Sequence, residues 1–71
     1  MQKITMKAAR VNAGMTQEQA ALIAEVNVTT ICNWEVGRTK PTKLQMIGLA
    51  YIYGVDVDDF IMPEELAKSE N

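Results

Sequence analysis

TQEQAALIAEVNVTTICNWEVG, residues 16–37, reads as two short helices joined by a tight turn. Thr16 is suited to cap the first helix, and Gln19 three residues on completes a capping box. Asn27 is a favoured N-cap for the second, which runs through Asn33-Trp34-Glu35-Val36 to Gly37. Helical periodicity puts Ile31 and Trp34 on one side, with Val26 just before the helix, and predicts that this side is buried. The opposite side carries Val28, Thr29, Cys32 and Asn33, all short side chains. A helix that slim fits the major groove of DNA and brings several side chains to base edges.

Upstream, Ile4 to Ala13 contains only good or neutral helix formers. Met6, Ala9 and Ala13 share a face there, with Arg10 on the same side. Gly14 is placed to end this helix in a left-handed conformation. The helix that Thr16 opens is expected to run to Ala24, with Ala20, Ala21 and Ala24 inward, small enough for a neighbouring helix to come close. Downstream of Gly37 lies a basic loop, Arg38-Thr39-Lys40-Pro41. Thr42 is expected to cap the next helix, in which Met46, Leu49, Ala50 and Tyr53 form an apolar stripe and which Gly54 stops. Asp56 caps a last short helix, with Asp58 and Asp59 at its positive end and Val57, Phe60 and Ile61 turned to the core. The pattern predicts an all-α domain of five helices over residues 1–62, followed by an acidic tail, residues 63–71, expected to be frayed.

A chain of 71 residues makes one domain with a modest core, and 48% hydrophobic residues argue against disorder. One cysteine excludes an internal disulfide, and Cys32 is expected to be a plain surface thiol. No apolar run is long enough to cross a membrane. The opening Met1-Gln2-Lys3-Ile4-Thr5 lacks the apolar stretch of a secretion signal, so a cytoplasmic location is expected. The net charge of −2 hides an asymmetry. Up to Gly54, six basic residues face three acidic ones, leaving +3; from Val55 onward Lys68 faces six carboxylates, leaving −5. A positive body with an acidic tail can still bind a polyanion, because local potential outweighs the sum. There is no histidine, no metal-ligand cluster, no phosphate-cradling glycine loop and no nucleophile beside a base. The expectation is therefore no enzyme, no cofactor, no metal and no small-molecule ligand.

In their order and spacing, Thr16-Gln17-Glu18, Ile31, Trp34-Glu35-x-Gly37, Pro41 and Gly54-Val55-Asp56-Val57-Asp58-Asp59-Phe60 resemble the Xre family. These are the Cro- and lambda-repressor-like helix-turn-helix regulators of bacteria and phages. The resemblance spans Met6 to Ile61 and implies that the helix after Asn27 enters the major groove. Carried over by position, it implies that Val28, Thr29 and Asn33 face base edges. Gln17 would hold a phosphate and brace the groove face, Thr30 would lie near the sugar-phosphate wall, and Arg38, Lys40 and Lys43 would contact phosphates. It also implies an ion pair between Arg10 and Glu35. Side-chain chemistry agrees: Asn33 suits a bidentate contact to adenine, and the methyls of Val28 and Thr29 suit that of thymine.

Three features depart from the family pattern. Glu25 stands in the turn where glycine is usual, and a left-handed backbone there costs glutamate about 1 kcal/mol, so a somewhat reshaped turn is expected. Leu22 and Ile23 stand where polar residues are usual, so either the helix is rotated or both are exposed. Leu44, Ile47 and Tyr51 make a second apolar stripe, which a second copy of the chain would cover. The resemblance implies a palindromic operator and a homodimer with reading helices about 34 Å apart, formed freely or on DNA. The leading expectation is a sequence-specific regulator, a repressor of phage or prophage type. The alternative is a protein-interaction module on the same fold: an antitoxin, antirepressor or adaptor.

Overall fold

The computed structural model describes residues 3–65. Four helices follow in order: α1 (Met6–Asn12), α2 (Gln17–Ala24), α3 (Val28–Val36) and α4 (Lys43–Tyr53). The fifth element is a single 3₁₀ turn, Val57–Asp59, shorter than the helix the sequence predicts. Asp56 does open it, its carboxylate accepting from the Asp58 amide at 3.0 Å. No strand is formed among the described residues, but an isolated parallel bridge joins Ile4 to Phe60. Its bonds run from Ile4 N–H to the Asp59 carbonyl at 2.8 Å and from Ile61 N–H to the Ile4 carbonyl at 2.9 Å. That clasp ties the start of the domain to its end.

Local chemistry explains where the helices begin. Thr16 and Gln19 form a reciprocal capping box on α2, and Thr42 with Gln45 repeats it on α4. Thr5 Oγ1 accepts from the Ala8 amide at 3.0 Å, so α1 starts later than Ile4. Asn27 holds the N-cap position of α3 with an extended backbone, yet its side chain makes no capping bond.

The helix ends share one device. At α2, α3 and α4 the residue just past the helix is left-handed, and at α1 it is Gly14, one beyond Ala13; in all four the following residue's amide turns back five positions to a carbonyl of the last turn. The returning amides are Met15 to Arg10, Val26 to Ala21, Arg38 to Asn33 and Val55 to Ala50, all between 2.9 and 3.2 Å. Met15, Val26 and Val55 bring apolar side chains back against the core, whereas Arg38 stays exposed. At the second of these ends the left-handed residue is Glu25, with φ of 59°. The turn between α2 and α3 keeps its geometry and absorbs the strain of a side chain there, about 1 kcal/mol.

The core is Met6, Ala9, Ala20, Ala21, Ile31, Trp34, Leu49, Ala50, Tyr53 and Phe60. Ala9 and Ala20 are fully buried, and α2 lies against both α3 and α4. Larger side chains at those alanines would force the helices apart, at about 1–3 kcal/mol each. Two expected core positions differ. Ala13 is exposed, since α1 ends before it, and Met62 rather than Ile61 packs against the core. Leu22 and Ile23 are exposed, at 80% and 53%, so α2 is not rotated. Most of the expected frayed tail, residues 66–71, lies outside the described residues; 63–65 form a helical turn.

Candidate nucleic-acid interface

α3 is held from behind by a hydrogen-bonded cluster built on Glu35, whose side chain is 4% exposed. Arg10 of α1 donates from Nε to Glu35 Oε2 at 2.7 Å and from Nη2 to Oε1 at 3.3 Å. Its Nη1 donates to the Met15 carbonyl at 2.8 Å. Gln17, the first residue of α2, donates from Nε2 to Glu35 Oε1 at 3.0 Å. One carboxylate thus links α1, α2 and α3. The hydrogen bond donated to Glu35 holds the Arg10 guanidinium above its ordinary pKa, against the lowering effect of burial. The Tyr53 hydroxyl is pushed up to about 12, by burial first and by the nearby Glu35 charge second.

On the outer side of α3, Val28 and Thr29 are exposed, while Thr30, Cys32 and Asn33 are half-buried. Ile31 and Trp34, 1% and 5% exposed, point into the core. Of the three residues expected at base edges, Val28 and Thr29 are therefore open to solvent, and Asn33 is partly covered. Gln17 stands at the N-terminal end of α2, with its amide nitrogen already committed to Glu35.

Beyond α3 the backbone turns at Gly37, with φ of 85°. A Cβ at Gly37 would sit 3.0 Å from Pro63, so the position needs glycine for both conformation and room. The turn folds Arg38 back onto the helix end, where its Nη1 donates to Asn33 Oδ1 at 3.0 Å. Lys40 is exposed and pairs with Glu64 at 2.7 Å, and Pro41 next in the chain is buried. Lys43, at the start of α4, lines a separate cleft with Asp58 and Glu65. The structure thus joins Asn33 to Arg38, Gln17 to the Arg10–Glu35 pair and Lys40 to Glu64.

Sequence reasoning missed the Gln17–Glu35 bond, the Thr42–Gln45 box, the Arg38–Asn33 bond and the Lys40–Glu64 pair. The Thr42–Gln45 box had a signal, the same Thr-x-x-Gln spacing as Thr16–Gln19. The Arg38–Asn33 bond and the Lys40–Glu64 pair had none, because both depend on how the chain turns after Gly37. Leu44, Ile47 and Tyr51 are 79%, 45% and 88% exposed on α4. Beside them a groove of about 240 Å³ is lined by Ala24, Val26, Leu44, Gly48 and Ile52. Among the described residues no group of acidic, cysteine or histidine side chains is placed to hold a metal, and no helix is long and apolar enough to cross a membrane.

The family model described as helix-turn-helix matches residues 6–60, most of the chain. The protein belongs to that family, in its Xre, lambda-repressor-like form, and is a DNA-binding regulatory domain. No curated protein and no solved structure matches the chain.

Proposed function

We propose that the protein is a repressor of phage or prophage type that binds a short palindromic operator as a homodimer, with α3 in the major groove. The observation that carries this reading is the outer side of α3: Val28 and Thr29 are exposed and Asn33, half-buried, lies outside the core, on a helix tied to α1 and α2 through Glu35. Those three residues meet base edges. Gln17, Thr30, Arg38, Lys40 and Lys43 meet the sugar-phosphate backbone, and Leu44, Ile47 and Tyr51 form the dimer face. Exposure of that second apolar stripe supports the dimer, since a lone domain gains nothing by showing it to water. A DNA partner supports a cytoplasmic location.

Selection of bound duplexes from a random pool tests the proposal directly. The expected result is a two-fold symmetric motif with half-sites one helical turn apart. Affinity for it should fall with salt by about 0.9 log units per decade for each phosphate neutralised. Equal, weak binding to every sequence would reject the reading in favour of an antitoxin, antirepressor or adaptor. That second reading is favoured by Leu22, Leu44 and Tyr51, all at least 79% exposed. Sedimentation showing only monomers, free and on the selected site, would reject the dimer alone.

A further inference from the structure

The docking proposed for α3 leaves open which base Asn33 prefers, and the turn after α3 bears on it. Gly37 and Arg38 close the helix so that the Arg38 amide bonds to the Asn33 carbonyl at 2.9 Å. The same fold-back carries the Arg38 side chain over Asn33, where Nη1 meets Oδ1 at 3.0 Å. Two bonds, one from the backbone and one from the side chain, therefore join the same pair of residues.

Chemistry fixes the sense of the second bond. A guanidinium has five donors and no acceptor, so only the oxygen of an asparagine amide can face it. With Oδ1 turned to Arg38, the amide nitrogen and its two donors are left for another partner. Adenine needs that oxygen free as well, because it presents a donor at N6 beside its acceptor at N7. Guanine presents two acceptors, N7 and O6, and is the only base that does so in the major groove. The positive charge of Arg38 works in the same direction, favouring O6 and opposing the amino hydrogens of adenine. We propose that Arg38 is a specificity-determining positioning residue: by holding the Asn33 oxygen it turns the pair into a donor-only surface that selects guanine. This rests on the docking of α3 proposed above and replaces the adenine contact that asparagine alone suggests.

The other three helix ends show why this turn differs. There the returning residue is Met15, Val26 or Val55, and its side chain packs against the core. At α3 alone the returning residue is an exposed arginine, and it folds onto a residue of the outward face. The backbone geometry is common to all four; the side chain that uses it is not.

The test is selection from duplexes randomised across the core, with the full chain as wild type, Asn33→Ala, Arg38→Ala and Arg38→Lys. Arg38 is exposed and leaves the core untouched, so its variants fold. Asn33→Ala identifies the base pair that Asn33 reads, as the one position whose preference disappears. In the wild type that position is expected to be guanine, favoured about tenfold over adenine. Arg38→Ala should bring the ratio below about threefold or invert it while other positions keep theirs, and Arg38→Lys, still donor-only, should restore guanine. Adenine at that position in the wild type would overturn the proposal. So would an Arg38→Ala protein weakened equally on all sequences, since that is what a phosphate contact alone gives. If Asn33→Ala alters no position, the docking of Asn33 itself has failed and this inference falls with it.

Discussion

The two ion pairs among the described residues have the same length, 2.7 Å, and opposite surroundings. Arg10 and Glu35 have side chains 9% and 4% exposed; Lys40 and Glu64 have side chains 68% and 49% exposed. In the first pair Arg10 also donates to the Met15 carbonyl, and Glu35 also accepts from Gln17. In the second, water competes for both partners. Distance is therefore a poor guide to what a charge pair does. The buried pair is a joint between α1, α2 and α3, and removing one side strands the other. The exposed pair adds little to the fold, and its lysine is available to exchange a carboxylate for a phosphate.

The hardest way to break that contrast is Glu35→Ala. It leaves Arg10 charged and buried and Gln17 without its acceptor, and should cost about 3–5 kcal/mol, read from urea unfolding. A loss under about 1 kcal/mol would show that the cluster is no joint. The double replacement Arg10→Met with Glu35→Leu sharpens the point. It removes both charges while keeping volume, and should recover most of the stability lost in Glu35→Ala, because an apolar pair needs no desolvation.

Alkaline pH probes the same cluster more gently. The Tyr53 hydroxyl titrates at about 12 in the folded protein against 10.0 in the open chain. The folded state therefore keeps its proton longer, so this contribution is complete below pH 10 and is lost as pH rises through 12. The expected loss is on the order of 2 kcal/mol across that window. Tyr53→Phe should flatten this part of the stability profile; an unchanged slope would show that another group governs it.

The smallest effect on the fold belongs to the exposed pair. Glu64→Gln should change stability by less than about 0.5 kcal/mol. Its consequence lies in binding: Lys40 is freed, and affinity for the selected duplex should rise about two- to threefold with a steeper salt dependence. Unchanged affinity and salt slope would mean that Lys40 makes no phosphate contact.

Helix starts and stops were legible in the sequence wherever the signal was local. Thr16 with Gln19, Thr42, Asp56 and the three glycines at positions 14, 37 and 54 each act within a few residues of themselves. The apolar stripe of α4 was legible for the same reason, since Leu49, Ala50 and Tyr53 follow one helical period. The length of the last helix was not: the clasp between Ile4 and Phe60 extends the chain after Asp59, and that pairing joins residues far apart in sequence. Nor was Glu25, whose left-handed turn persists because Val26 beyond it is drawn into the core.

By itself the sequence determined that this is a small all-helical DNA-binding domain and which helix turns its short side chains outward, because caps and periodicity act over one or two turns of backbone. Only the tertiary structure decided that Gln17 joins the Arg10–Glu35 pair, that Arg38 returns onto Asn33, and that Lys40 meets Glu64. Those contacts depend on the angles at which helices cross and loops fold back, which are set by packing of the whole core and are written in no single stretch of residues.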